Sequence, residues 1–334
     1  MKILVPIEDV LFGSEIADFI VAHSWPAGTV VKLLCVIEPF LLEQEQSHAP
    51  FARLMELSGQ QIIGAAYHTL EEVMKRIKRT MPDLQVEKHV IEGPVKNEIL
   101  RNAAEWQADL IIAGSHGRSG FNRFFLGSIS LMLVSEAPCP VLLIKPNAQT
   151  LRDWDKINTF DSDVKAEQAG KNEHMRRILV ALDDTNISDQ VVDFVISHHW
   201  TQPAHFKLLS VMRMPAFFER AQSEFASVYA DKVRMRECIL RKLALKMRDY
   251  FHSPHIEEEL LEGDPRKLLT VGAEEWNADL IVLGSHYRDP AKRFALGSVA
   301  LAVLCSSSCS VLVLRQGAGQ SVKESELAAE CLIK

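Results

Sequence analysis

Leu110-Ile111-Ile112-Ala113-Gly114-Ser115-His116-Gly117-Arg118-Ser119-Gly120-Phe121-Asn122-Arg123-Phe124-Phe125-Leu126-Gly127-Ser128 is the stretch that decides the fold of this chain. It opens as an unbroken apolar run too short for a helix, the pattern of a strand covered on both faces. It then becomes polar and glycine-rich with the spacing Gly-x2-Gly-x9-Gly-Ser, after which an apolar stretch of helical length begins. Val141-Leu142-Leu143-Ile144 follows as a second run of the buried kind. Strand, helix and strand in that order form a βαβ unit, which requires a parallel sheet with helices on its faces.

The alternation extends back to the first residue. Strands are predicted near 2–7, 29–37, 85–92, 109–114 and 140–145, and helices near 13–24, 50–80, 95–106 and 127–137. The whole pattern then recurs. Ile3-Leu4-Val5 returns as Ile178-Leu179-Val180, Asp18-Phe19 as Asp193-Phe194, and Lys32-Leu33-Leu34 as Lys207-Leu208-Leu209, all 175 residues on. Glu105-Trp106 with Ala108-Asp109-Leu110-Ile111 returns as Glu275-Trp276 with Ala278-Asp279-Leu280-Ile281, 170 residues on, so the second copy is five residues shorter in between. Repetition on this scale defines the organisation before any motif does. The expected domains are 1–146 and 176–315, joined by a polar linker at 147–175 and followed by a tail at 316–334. Each is expected to be α/β and doubly wound, and the length of 334 residues suits two domains of about 150 residues each.

Composition narrows the function classes. Hydrophobic residues make up 47% and charged residues 24%, as in ordinary globular proteins. The net charge of −7 argues against a nucleic-acid partner, because the phosphate backbone would be repelled. The first strand runs into Glu8-Asp9, without the longer apolar core of a secretion signal, and the chain contains no run of about 18 apolar residues, so no membrane association and a cytoplasmic location are expected. The six cysteines Cys35, Cys139, Cys238, Cys305, Cys309 and Cys331 form neither a CxxC pair nor a zinc-type pattern with histidine, and are expected to be buried, reduced thiols.

The glycine loop is the chemical feature. Glycines after a strand let the backbone adopt positive φ and approach a ligand closely. Gly127-Ser128 opens a helix whose unpaired N–H groups and positive dipole end favour an anion, above all a phosphate. Arg118 and Arg123 add charge-assisted hydrogen bonds. The site is expected at the carboxyl ends of the strands, where the strand order reverses.

The Gly114-x2-Gly117-x9-Gly127-Ser128 loop, the opening strand ending in an acid and the closing Cys139-Pro140-Val141-Leu142-Leu143-Ile144 strand resemble the universal stress protein family over 1–146 and 176–315. The resemblance implies a five-stranded parallel sheet of order 3-2-1-4-5 in each copy. It implies that ATP or AMP, with Mg²⁺ as an optional companion, is held by the loop phosphates-first. Glu8 would meet the ribose, Val36 would touch adenine through its backbone, and Ile129 would add a backbone N–H to phosphate. Copy one carries Glu8 where the family has Asp, one methylene longer and still an acceptor.

Copy two keeps Asp183, Gly284, Arg288, Arg293, Gly297 and Ser298 as a weak second site, but Tyr287 replaces the second glycine and Pro290 follows. If that position needs positive φ, a bulky side chain costs ~1–2 kcal/mol, and the ring would occupy phosphate space. His116 and His286 repeat inside the loops and are read as loop residues bonded to nearby backbone, with acid-base work as the competing role. The pairs Trp25/Trp200 and Trp106/Trp276 are read as packing residues, and His198-His199 as a helix end.

There is no P-loop, nucleophile elbow, HExxH or kinase signature, and no GxGxxG after the first strand. The leading reading is therefore a nucleotide-binding stress adaptor without dedicated catalysis, acting on unknown protein partners. The alternatives are a slow ATP hydrolase or phosphotransferase, using Arg118, Arg123 and His116, and a scaffold that binds no nucleotide. The resemblance also implies pairing of the two copies through 139–145 and 309–315, with a homodimer as a further option. Ser310 stands where copy one has Pro140, which would make these two strands unequal.

Overall fold

The structure is a computed structural model that describes residues 1–38, 49–115, 126–145, 176–197, 204–213, 226–251, 255–285 and 296–315. It divides into two compact units, one holding the described residues up to 145 and the other those from 176 onward. The linker and the tail lie outside the described residues.

Unit one runs β1 Lys2–Pro6, α1 Val10–Val21, β2 Val30–Ile37, α2 Ala49–Thr80, β3 Gln85–Glu92, α3 Val95–Glu105, β4 Leu110–Gly114, α4 Ser128–Glu136 and β5 Val141–Ile144. Its strands are parallel in the order β3-β2-β1-β4-β5. Unit two runs β6 Arg176–Leu182, α5 Ile187–Ser197, β7 Ala204–Met212, α6 Ala226–Phe251, β8 Ile256–Glu262, α7 Pro265–Glu275, β9 Leu280–Ser285, α8 Ser298–Ser306 and β10 Ser310–Arg315. Its order, β8-β7-β6-β9-β10, is the same 3-2-1-4-5 arrangement.

The central strands are the core. Ile3, Leu4, Ile111 and Ile112 have no exposure, and neither do Leu179, Val180, Ile281 and Val282 in unit two. Burying each such side chain stabilises the fold by ~1.5–3 kcal/mol before entropy is counted. The edge strand β3 is only partly covered, with Gln85, Glu87 and Glu92 exposed. In each unit the first two helices pack on one another and the last two do the same, which covers both faces of the sheet.

The repeated Glu-Trp-x-Ala-Asp motif fastens this frame at the amino ends of the strands. The Asp109 carboxylate accepts the Lys2 backbone N–H at 2.7 Å, and Lys2 Nζ donates to the Trp106 carbonyl at 3.0 Å. In unit two Asp279 accepts the Arg177 N–H at 2.8 Å, and the Arg177 guanidinium donates to the Trp276 carbonyl at 2.9 Å. The residues after the tryptophans, Gln107 and Asn277, take left-handed φ of 53° and 52°, which turns each chain sharply into its strand. Lys32 is buried on the face of Trp106, 4.2 Å from the ring centre, and its pKa is lowered by burial.

Four expectations need correction. Helix α1 begins at Val10, three residues before the predicted start, because the Asp9 carboxylate accepts the Phe12 N–H at 2.9 Å and caps it. It ends at Val21 rather than 24. His23 and Trp25 fold back onto it, with His23 Nδ1 2.6 Å from the Phe19 carbonyl and the Trp25 indole donating to Ile20 at 2.8 Å. Cys238 is exposed, unlike buried Cys35 and Cys139; burial pushes the Cys139 thiol up to about 12. Strand β5 runs from Val141 to Ile144 rather than over 140–145, while β10 runs from Ser310, which stands at the position of Pro140, to Arg315, so the two strands are unequal, as expected.

Two close contacts yield tests. A Cβ at Gly284 would lie well inside van der Waals contact of Ile187 Cγ1 and 3.1 Å from its Cβ, at the first residue of α5. Gly284→Ala is therefore expected to destabilise unit two by about 1–3 kcal/mol in urea unfolding, and an unchanged midpoint would refute the packing account. On α1, Glu15 lies one turn from Asp18, whose carboxylate takes a two-pronged bond from Arg76 at 2.6 and 2.7 Å. Burial, then the Asp18 charge, raise the Glu15 pKa to about 7. A raised carboxyl pKa favours the protonated fold, so this contribution is full below pH 4.5 and is lost as pH rises to 7. Copy two carries neutral Gln190 at the matching place. Glu15→Gln should match wild type near pH 4 and exceed it by about 1 kcal/mol at pH 8, a figure reduced for partial exposure. Equal unfolding midpoints at pH 8 would contradict this.

Candidate functional site

In unit one β1 lies between β2 and β4, so the strand order reverses at the β1/β4 boundary, the point at whose carboxyl ends open α/β sheets form a ligand crevice. Three chain ends meet there. Strand β1 runs out after the Pro6–Leu34 rung, Ile7 still donates its N–H to Leu34 at 2.8 Å, and Glu8 follows, exposed. Strand β2 continues beyond that rung, with Val36 paired to Ile91 of β3 on its other side. Strand β4 ends at Gly114, opposite Ile144.

The described ends of the glycine loop are clipped together. Ser115 is fully buried and donates its N–H to Ile144 at 3.0 Å, while its carbonyl accepts the Gly127 N–H at 3.1 Å. Ser130 Oγ donates to the Gly114 carbonyl at 2.8 Å. These bonds set the start of α4 directly beside the end of β4. Gly127 is the N-cap and has no side chain with which to cap the helix, so the first amides of α4, from Ser128 and Ile129, lie at the positive end of the helix dipole. Unit two repeats the arrangement: the Gly297 N–H donates to Ser285 Oγ at 3.2 Å, and α8 likewise has no side-chain cap.

The expected positive φ is not found where it can be checked. Gly127 and Gly297 have φ of −60° and −59°, which any residue adopts, and Gly114 and Gly284 are strand residues. At Gly284 the reason for glycine is the Ile187 side chain packed against it. At Gly284 the lack of a side chain, rather than a left-handed backbone, is what the position requires. Gly117, Arg118, Arg123 and His116 lie outside the described residues, as do His286, Tyr287, Arg288, Pro290 and Arg293 of copy two, and Trp200 and His198-His199.

The two copies use their strand-end acids differently. In copy one Asp9 caps α1 and Glu8 is turned to solvent. In copy two Asp183 Oδ1 accepts from the Thr185 N–H at 2.9 Å, from Thr185 Oγ1 at 2.5 Å and from Ser188 Oγ at 3.1 Å. The neighbouring Asp184 accepts from the Arg236 guanidinium at 2.9 Å, and Arg236 also donates to Ser210 Oγ at 3.1 Å. Sequence reasoning passed over Arg236. The signal was present: the buried stripe Ala66, Leu70, Val73 and Ile77 of α2 recurs 170 residues later as Arg236, Leu240, Leu243 and Met247, with one apolar position turned into a cation.

Among the described residues no group of three or more His, Cys, Asp or Glu side chains is placed to hold a metal ion. None of the described helices is long and apolar enough to cross a membrane.

Comparison with known proteins agrees with this fold. The family model for the universal stress protein family matches residues 1–145 and 174–315. A universal stress protein of Methanocaldococcus jannaschii is 29% identical over 149 residues, 43% of this chain and 81% of that protein. One of Mycobacterium tuberculosis is 28% identical over 214 residues, so the chain spans 63% of that relative's length. Among solved structures, a universal stress protein from Archaeoglobus fulgidus superposes with a TM-score of 0.54 at 17% identity, covering 96% of this chain and 97% of that one. A functionally unknown protein from Pseudomonas aeruginosa gives 0.55 at 16% identity, covering 100% and 97%; both likenesses concern the fold alone. With the same family model matched in each half and the same five-stranded order in each unit, the chain belongs to the universal stress protein family, in its tandem form.

Proposed function

We propose that copy one binds an adenine nucleotide, ATP or AMP, and that the protein serves as a stress-response adaptor whose occupancy is read by protein partners, without dedicated catalysis. The observation that carries this reading is the meeting of the β1, β2 and β4 ends with the glycine-capped start of α4 at the strand-order reversal. Such a crevice offers an anion several amide donors and a dipole at once. In this reading Gly114, Gly117, Gly127, Ser128 and Ile129 bring backbone to the phosphates. Arg118 and Arg123 add charge, and any Mg²⁺ arrives on the phosphates. Glu8, exposed at the crevice, accepts from ribose hydroxyls. Val36 lies where β2 has run past β1, so its backbone on that side faces the crevice and is suited to the adenine edge.

Copy two contributes less. Its matching acid, Asp183, already accepts three bonds within its own turn, and Tyr287 stands for a loop glycine. The second site of Asp183, Gly284, Arg288, Arg293, Gly297 and Ser298 is therefore weak in this reading.

Calorimetric titration of the full chain with ATP tests the proposal. One site per chain is expected, together with at least a tenfold loss of affinity in Gly117→Tyr, which copies the second repeat. No binding, and no nucleotide released on denaturation, would sink it. Turnover of bound ATP that falls in His116→Ala would move the reading to a slow hydrolase.

A further inference from the structure

Arg236 lies where an unpaired cation would be costly. Its side chain is only 11% exposed, and a guanidinium held there must be met by acceptors. The two it meets belong to different walls of the copy-two crevice. Asp184 is in the turn between β6 and α5, and Ser210 is the residue of β7 opposite Leu182, the last rung between β6 and β7. The guanidinium thus ties the turn that follows β6 to the carboxyl end of β7, at 2.9 Å on one side and 3.1 Å on the other. Ser210 is itself 1% exposed, so this end of the tie is anchored in the core.

Copy one carries other residues at the matching positions. The positions matching Arg236, Asp184 and Ser210 are Ala66, Asp9 and Cys35. Ala66 and Cys35 are small and buried, and Asp9 is engaged in capping α1. The place between strand one and strand two is the place where, on the reading above, copy one receives the nucleoside. We infer that Arg236 is a specificity-determining residue that closes the nucleoside half of the copy-two crevice from within. This inference rests on the nucleotide-binding reading of copy one. It makes copy two's loss of nucleotide a matter of two independent blocks, Tyr287 in the phosphate loop and Arg236 beneath the nucleoside.

The test counts ATP sites in the full chain by calorimetry, with thermal unfolding run alongside to confirm that each variant is folded. Wild type and Tyr287→Gly are both expected to bind one ATP, and Tyr287→Gly with Arg236→Ala to bind two. The reciprocal change, Ala66→Arg, should weaken the single site of copy one at least tenfold while cooperative unfolding is retained. If Tyr287→Gly alone gains the second site, or the double variant stays at one while wild type binds one, the closing role of Arg236 is overturned. If folded Ala66→Arg binds ATP like wild type, it is overturned as well. A wild-type chain that binds no ATP removes the underlying reading and this inference with it, an outcome distinct from the others.

Discussion

The pairing of the first strand with the fourth is the constraint on which the remaining structure depends, and the Asp109–Lys2 bond is what registers it. In a sheet of order 3-2-1-4-5 the chain must return from the third strand, at one edge, across two others to reach the far side of the first. That return is governed by the tight left-handed turn at Gln107 and by the aspartate that grips the start of β1. Unit two solves the same problem with Asn277, Asp279 and Arg177. Because side chains alternate along a strand, a slip of one residue here would exchange the sets of side chains that a central strand sends to the two helix layers. The crevice at the opposite end exists only because this junction is held.

The clamps and the candidate site are therefore at opposite ends of the sheet in each unit. The clamps and the Lys32–Trp106 contact lie at the amino ends. The acids, the glycine loop and the start of the fourth helix lie at the carboxyl ends. A change at the carboxyl end, such as Arg236 for Ala66, can be accommodated locally by Asp184 and Ser210 without touching the frame. That separation explains how two copies keep one strand order while their crevices diverge.

Much of this was legible in the sequence. The inner strands follow from apolar runs such as Leu110–Ala113 and Val141–Ile144, and the domain repeat follows from motifs with fixed offsets. Apolar periodicity reports burial, and burial dominates where strands form. It reports poorly on helix ends, which are decided by single hydrogen bonds: the start of α1 is set by Asp9, and its end is fixed by His23 and Trp25 folding back. The glycines were read for backbone freedom, but Gly127 and Gly297 are at ordinary φ, and Gly284 is kept small by Ile187. A glycine needed for space and one needed for conformation look alike in one dimension. Arg236 escaped notice because a cation on a long, otherwise amphipathic helix resembles a solvated face; only alignment with the buried stripe of α2 exposes it.

The strand-end acids show how one chemical feature takes opposite roles. Copy one has Glu8-Asp9 and copy two Asp183-Asp184, an almost identical pair by type and charge. Capping the first helix needs a short side chain at the N-cap, and in copy one Asp9 meets that need, which leaves the longer Glu8 turned outward. In copy two Thr185 and Ser188 draw Asp183 into the turn, and the second acid turns to Arg236. A ligand hydroxyl that approached Asp183 would have to displace bonds that this carboxylate already accepts within its own turn. Residue type alone is thus a poor guide to the role of the strand-end acid: the copy that keeps aspartate has committed it to its own turn, and the copy with glutamate leaves that side chain exposed.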